Sequence, residues 1–159
     1  FGMGKPPLIV ADIENLPFAN DAFNIVVCAG VIEYLNGDNK ALAEISRVLK
    51  KNGVAFVTVT NALTPLGFLE TIFKISSIWP KILKMVRKEK NPPKARVHVP
   101  FILSSAALKR GLKEIDQAYF DFTLFPIPIL WKIGLKMERL SKKLVGFIGR
   151  GCILKFVKL

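Results

Sequence analysis

Residues 8–18 read Leu-Ile-Val-Ala-Asp-Ile-Glu-Asn-Leu-Pro-Phe, and residues 23–35 read Phe-Asn-Ile-Val-Val-Cys-Ala-Gly-Val-Ile-Glu-Tyr-Leu. A third apolar run, Val-Ala-Phe-Val-Thr-Val-Thr-Asn, fills 54–61. These three short runs, rich in β-branched residues, predict strands over 8–11, 23–28 and 54–60. Between the second and third lies a helical pattern over 39–51, where Leu42, Ile45, Val48 and Leu49 share one face and Asp38 or Asn39 is a candidate N-cap. Strands alternating with helices imply a parallel sheet with helical crossovers, and the continuous apolar run 23–28 implies a strand covered on both faces. Such a sheet binds ligands beyond the C-terminal ends of its strands. Asp12 stands at one such end, and Cys28, Ala29 and Gly30 stand at the next, where small residues let a ligand approach the backbone.

Outside this stretch the charge changes. The chain of 159 residues carries a net charge of +12, yet residues 1–61 hold five basic and six acidic side chains. Residues 62–95 hold seven basic and two acidic, and residues 124–150 six and one, so each of these segments has a net charge of +5. In both, lysine and arginine alternate with apolar residues at helical spacing, with Phe73 and Trp79 in the first and Trp131 and Phe147 in the second. They read as basic amphipathic inserts that suit either an anionic membrane surface or a core-facing helix pair with a solvated basic face. Nucleic acid is the weaker match, because it calls for a basic stripe with stacking aromatics rather than a continuous apolar face. Residues 104–111 read as a helix capped by Ser104 or Ser105, residues 114–123 as a strand, and residues 152–157 as the last strand.

Several residue types bound the chemistry. One histidine and two distant cysteines cannot make a zinc site. Cys28 and Cys152 lie in apolar runs and read as buried, reduced thiols. His98 is a candidate general base or a loop residue satisfied by hydrogen bonds. Asn61 is a candidate substrate-side polar group or a turn residue, Tyr34 a candidate substrate contact or part of a solvated turn, and Asp12 a ligand acceptor or a turn former.

The order Asp12, Leu16-Pro17-Phe18, the strand 23–27, Glu33-Tyr34, the Glu-Ile-Ser-Arg-Val-Leu-Lys run at 44–50, Gly53 and the strand 54–59 resembles class I S-adenosylmethionine-dependent methyltransferases, in the branch acting on small molecules and lipids. Asn24 replaces the family's usual Asp, and Lys51-Asn52 its usual Pro-Gly. The resemblance implies a truncated Rossmann-like α/β domain over 1–159, with a mostly parallel sheet, an antiparallel C-terminal hairpin and helical inserts at 62–95 and 124–150. It places the family's glycine-rich loop and ribose-binding acid upstream of Phe1, so the chain reads as a fragment that lacks about two βα units, at ~30 residues per βαβ. The implied cofactor is S-adenosylmethionine, with Asp12 and the Ile13 N–H at the adenine and Cys28, Ala29 and Gly30 along the methionine. The implied activity is methyl transfer to a small or lipid-linked acceptor. Tyr34 and Asn61 would face that acceptor and His98 would serve as base, in a cytoplasmic protein that touches the inner membrane face. The alternative of another class is a non-catalytic basic module that binds membrane or nucleic acid.

Overall fold

A computed structural model describes residues 7–64, 95–120 and 149–159. The elements in chain order are β1 (Phe23–Cys28), a 3-10 turn (Ile32–Tyr34), α1 (Asn39–Val48), β2 (Leu49–Thr60), α2 (Pro100–Leu108), β3 (Leu112–Phe120) and β4 (Gly151–Lys158). The strands form one sheet in the order β1-β2-β4-β3. β1 and β2 pair in parallel through the α1 crossover, with Val26 opposite Ala55 and Cys28 opposite Val57. β2 pairs antiparallel with β4, and β4 antiparallel with β3. The antiparallel C-terminal hairpin expected from the sequence is therefore β3-β4, and the segment expected to interrupt it joins the two strands.

α1 lays Leu42, Ile45 and Val48 against the sheet, where all three are buried, and Ala55, Val57, Leu154 and Phe156 meet them from β2 and β4. The helix ends at Val48, earlier than the periodicity suggests, because Leu49 turns extended and at once pairs with Phe23. The chain then bends through Asn52, whose φ is +63°. This is the left-handed region in which asparagine is among the few tolerated residues other than glycine, so the replacement of the family's glycine here keeps the turn. Gly53 follows at a close approach, since a Cβ there would lie 2.7 Å from the Lys50 carbonyl oxygen and 3.1 Å from that of Asn24.

Three expectations need correction. Residues 8–11 form no strand: no described residue pairs with them, and Leu8 and Val10 are fully exposed. An apolar run becomes a strand only beside a partner that takes its backbone hydrogen bonds. β1 is not covered on both faces, since Ile25 and Val27 are 61% and 66% exposed. The helix expected at 104–111 begins at Pro100 with Val99 as N-cap, and the Ser105 hydroxyl donates to the Phe101 carbonyl inside the helix instead of capping it. Proline at the first turn loses no intrahelical bond, which is why the helix can start there. The two basic inserts lie almost wholly outside the described residues.

Candidate functional site

The tip of β1 separates two cavities. One, of about 430 Å³, is apolar and runs the length of β1, lined by Phe23, Ile25, Val26, Val27 and Cys28 together with Ala11, Ile13, Phe18 and Val31, and by Ile45 and Val48 of α1. The other, of about 220 Å³, is lined by Gly30, Glu33, Thr58, Val59, Thr60, Phe120, Arg150 and Gly151. Only the smaller one has charged side chains in its wall.

Three interactions shape the smaller cavity. The Gly30 N–H donates to the Thr58 hydroxyl at 2.8 Å, tying the β1 tip to β2. Gly30 has φ +65°, and no atom lies within 4 Å of where its Cβ would be, so the backbone there is open to a ligand. Glu33 Oε2 accepts from the Thr60 N–H at 3.2 Å and from the Thr60 hydroxyl at 2.8 Å. Thr58 and Thr60 share one face of β2 because strand side chains alternate. Across the sheet Thr60 pairs with Gly151, and Gly151 pairs with Phe120. A Cβ at 151 would fall inside the Phe120 ring, so the missing side chain is what lets the ring lie flat over β4.

The residues singled out from the sequence separate into two groups. Ile13 and Cys28 line the larger cavity together, and Gly30 lines the smaller one. Burial raises the pKa of the Cys28 thiol, which stays neutral, so this residue presents its backbone rather than a thiolate. Ala29 is exposed between the two cavities. Asp12 is exposed beside Ala11 and Ile13; its Oδ1 accepts from the Glu14 N–H at 2.9 Å in a local turn. That bond leaves the other carboxylate oxygen able to accept. The turn-forming and ligand-accepting readings of Asp12 are thus compatible.

The second group lies outside both linings. Tyr34 is half exposed in the 3-10 turn. Asn61 is buried; its side-chain amide donates to the Gly149 carbonyl at 3.0 Å, its Oδ1 accepts from the Leu63 N–H, and its backbone N–H donates to the Arg150 carbonyl at 2.7 Å. It fastens the start of β4 to the end of β2. His98 is 5% exposed; its Nε2 lies 3.2 Å from Asp38 Oδ1, and its Nδ1 is buried without a hydrogen-bond partner. Its backbone forms a parallel bridge to Asn61. Asp38 also takes Arg96 at 2.8 Å, so its carboxylate serves a strap 58 residues away and does not cap α1.

Sequence reasoning passed over Thr58, Thr60, Phe120 and Arg150. Two threonines at i and i+2 near the end of a strand were a visible signal for one hydroxyl-bearing face. Phe120 and Arg150 meet only through β-sheet register across a long connection, and the sequence has no local trace of that.

Residues 3–57 match the family described as Methyltransferase domain. The uncharacterized protein MJ1252 of Methanocaldococcus jannaschii is 36% identical over 155 residues, which cover 91% of this chain and 60% of that protein. Among solved structures, a possible histamine N-methyltransferase from Thermotoga maritima superposes with a TM-score of 0.61 at 19% identity, over 94% of this chain and 62% of that one. A SAM-dependent methyltransferase from Archaeoglobus fulgidus also gives 0.61, at 13% identity, over 99% of this chain and 70% of that one. The fold is that of the Rossmann-like S-adenosylmethionine-dependent methyltransferases. The family match covers the stretch 3–57, and the fold of the described residues agrees with it. The chain spans about three-fifths of the length of its Methanocaldococcus relative.

Proposed function

We propose that this chain forms the acceptor-facing part of an S-adenosylmethionine-dependent methyltransferase acting on a small, possibly lipid-linked acceptor. The observation that carries the reading is the β1 tip, which has one cavity on each side and an open backbone at Gly30 between the sheet and the ligand space. The end of the apolar cavity near Ile13 and Cys28 suits the adenine ring of the cofactor. Ile13 and Cys28 line it from two different segments, and the Asp12 carboxylate stands beside it with an oxygen able to accept from an exocyclic amine. Residues 28–30 would then run along the methionine portion, with the smaller cavity beyond Gly30 receiving the acceptor.

When bound, S-adenosylmethionine supplies a methyl group already activated as a sulfonium. The work left to the chain is to align the acceptor and exclude water. Gly30 gives room for close approach, and Glu33 and Thr60 fix the wall opposite. Asn61 and His98 support that wall from behind.

Calorimetric titration of S-adenosylhomocysteine into the full-length protein tests the reading. Saturable binding is expected, and a folded protein that shows none rejects it.

The lipid-linked class of acceptor is supported by the two inserts, each with a net charge of +5 and interleaved aromatic residues. Among the described residues no helix is long and apolar enough to cross a membrane; the contact we propose is at a membrane surface, through the basic and apolar residues that alternate in the two inserts.

A further inference from the structure

The smaller cavity carries one acidic and one basic residue in its wall. Glu33 and Arg150 both line it, yet they form no salt bridge with each other. Glu33 is engaged by the N–H and hydroxyl of Thr60. Arg150 uses its backbone carbonyl to accept from the Asn61 N–H at 2.7 Å, while among the described residues its guanidinium has no hydrogen-bond or ionic partner. Arg150 is exposed and lines the same concave site as Phe120, and a guanidinium in such a place is suited to a planar or tetrahedral oxyanion, which it can hold through two parallel bonds.

We propose that Arg150 is an anion-binding subsite, and that the acceptor is a small molecule or headgroup carrying a carboxylate or a phosphate. The topology orients it. Gly30 lies at the tip of β1 and Arg150 immediately precedes β4, with β2 between them. Two strand spacings separate them by roughly 10 Å. The acceptor's nucleophilic atom and its anionic group are therefore several bonds apart. Glu33 lies between the two ends and repels an anion from the Gly30 side, so the acceptor enters in one orientation only. Phe120 supplies the apolar wall at the Arg150 end. The volume of about 220 Å³ is below that of a drug-sized pocket, which limits the enclosed part to a small group. The meaning given to the subsite rests on the methyltransferase reading, but anion binding at Arg150 can be measured without it.

The test uses the full-length protein at low ionic strength. Inorganic phosphate and acetate are titrated separately, read by calorimetry and by the ¹⁵N-detected shift of the Arg150 side chain. Saturable binding is expected, weakened at least about tenfold in Arg150→Gln and less in Arg150→Lys, which keeps the charge and loses the two-bond geometry. Tighter phosphate indicates a phosphate-bearing acceptor, and tighter acetate a carboxylate-bearing one. Equal binding by the wild type and Arg150→Gln, or no saturation by either anion, overturns the proposal. If Arg150→Gln does not fold, the wild-type shift and Arg150→Lys decide. S-adenosylhomocysteine is titrated in parallel. Its binding without anion binding removes the subsite and leaves the methyltransferase reading standing; anion binding at Arg150 without it does the reverse.

Discussion

Arg47 and Glu44 are joined by two parallel hydrogen bonds, Nε to Oε1 at 2.7 Å and Nη2 to Oε2 at 2.8 Å, and this pair holds the turn at 16–18 from both sides. Glu44 Oε2 accepts from the Leu16 N–H at 2.8 Å, while the guanidinium donates to the carbonyls of Leu16 at 2.9 Å and Phe18 at 2.7 Å. The Glu-Ile-Ser-Arg run and the Leu-Pro-Phe turn are thus one device. The helix that builds the crossover also sets the path of the chain leading from Ile13, beside the larger, apolar cavity.

The acid side of the stability profile follows from this pair. The Arg47 hydrogen bonds, helped by the Leu16 N–H, lower the Glu44 carboxyl to about 2, against an unfolded value of about 4.3. Because the folded pKa is the lower one, the contribution is fully present above the unfolded value and is lost as pH falls toward 2. Denaturation midpoints measured from pH 6 to pH 2 should fall through this window. In Glu44→Gln the midpoint should be lower at neutral pH, and its acid dependence should flatten.

Asn52 offers a backbone test. With φ at +63°, a Cβ-bearing residue without asparagine's local hydrogen bonding is strained. Asn52→Ala is expected to cost roughly 1 kcal/mol, and Asn52→Gly to be neutral or stabilising. Denaturant unfolding of the two variants measures both.

Asp38 collects Arg96 at 2.8 Å and His98 at 3.2 Å, and its own side chain is only 19% exposed. Asp38→Ala removes the carboxylate facing His98 and leaves the Arg96 guanidinium with the Leu35 carbonyl at 3.1 Å, and should destabilise the protein by about 2 kcal/mol. Its effect on unfolding should exceed that of Asp21→Asn, which keeps a side chain tolerated at the positive φ of 54° and loses only an exposed pair with Lys158 at 2.8 Å.

Asp12→Ala should leave the fold intact, because the residue is exposed and its side chain makes only the local bond to Glu14. Affinity for S-adenosylhomocysteine should fall roughly tenfold or more, the loss of one charge-assisted hydrogen bond. Unchanged affinity in a folded variant would return Asp12 to a purely turn-forming role.

For the basic inserts, co-sedimentation with vesicles containing phosphatidylserine is the measurement. Binding is expected and should drop when Lys81, Lys84, Arg87 and Lys88 are changed to Gln, at about 1 kcal/mol for each charge near the surface. High salt should weaken it only in part, because a buried apolar face is not screened. Absence of binding would favour an acceptor free in solution.

Local pattern made part of this molecule legible. β-Branched composition and length were enough for β1 and for the 54–60 part of β2, which in fact begins at Leu49, and the spacing of Leu42, Ile45 and Val48 was enough for the buried face of α1. Residues 8–11 have the same composition as β1 but form no strand, since pairing depends on a partner that the run itself cannot reveal. Asp38 was legible as the residue before the helix, but its bonds to Arg96 and His98 depend on a chain returning about 60 positions later. Asn61 was legible as the exit from β2, though its use as a fastener for Gly149 and Arg150 was not. At the candidate site, the tip residues could be named from small size and position. The opposite wall is assembled from Thr60, Phe120 and Gly151, which meet through register alone.

The contact of Phe120 with the bare backbone at Gly151 gives this wall a dimension that evolution or an engineer could adjust with one codon. Any side chain at 151 must displace the ring, and the ring lines the same cavity as Gly30. The smallest replacement, alanine, would act as a shim beneath a movable jaw: it would narrow the gap, and bulky acceptors should be turned away before slender ones.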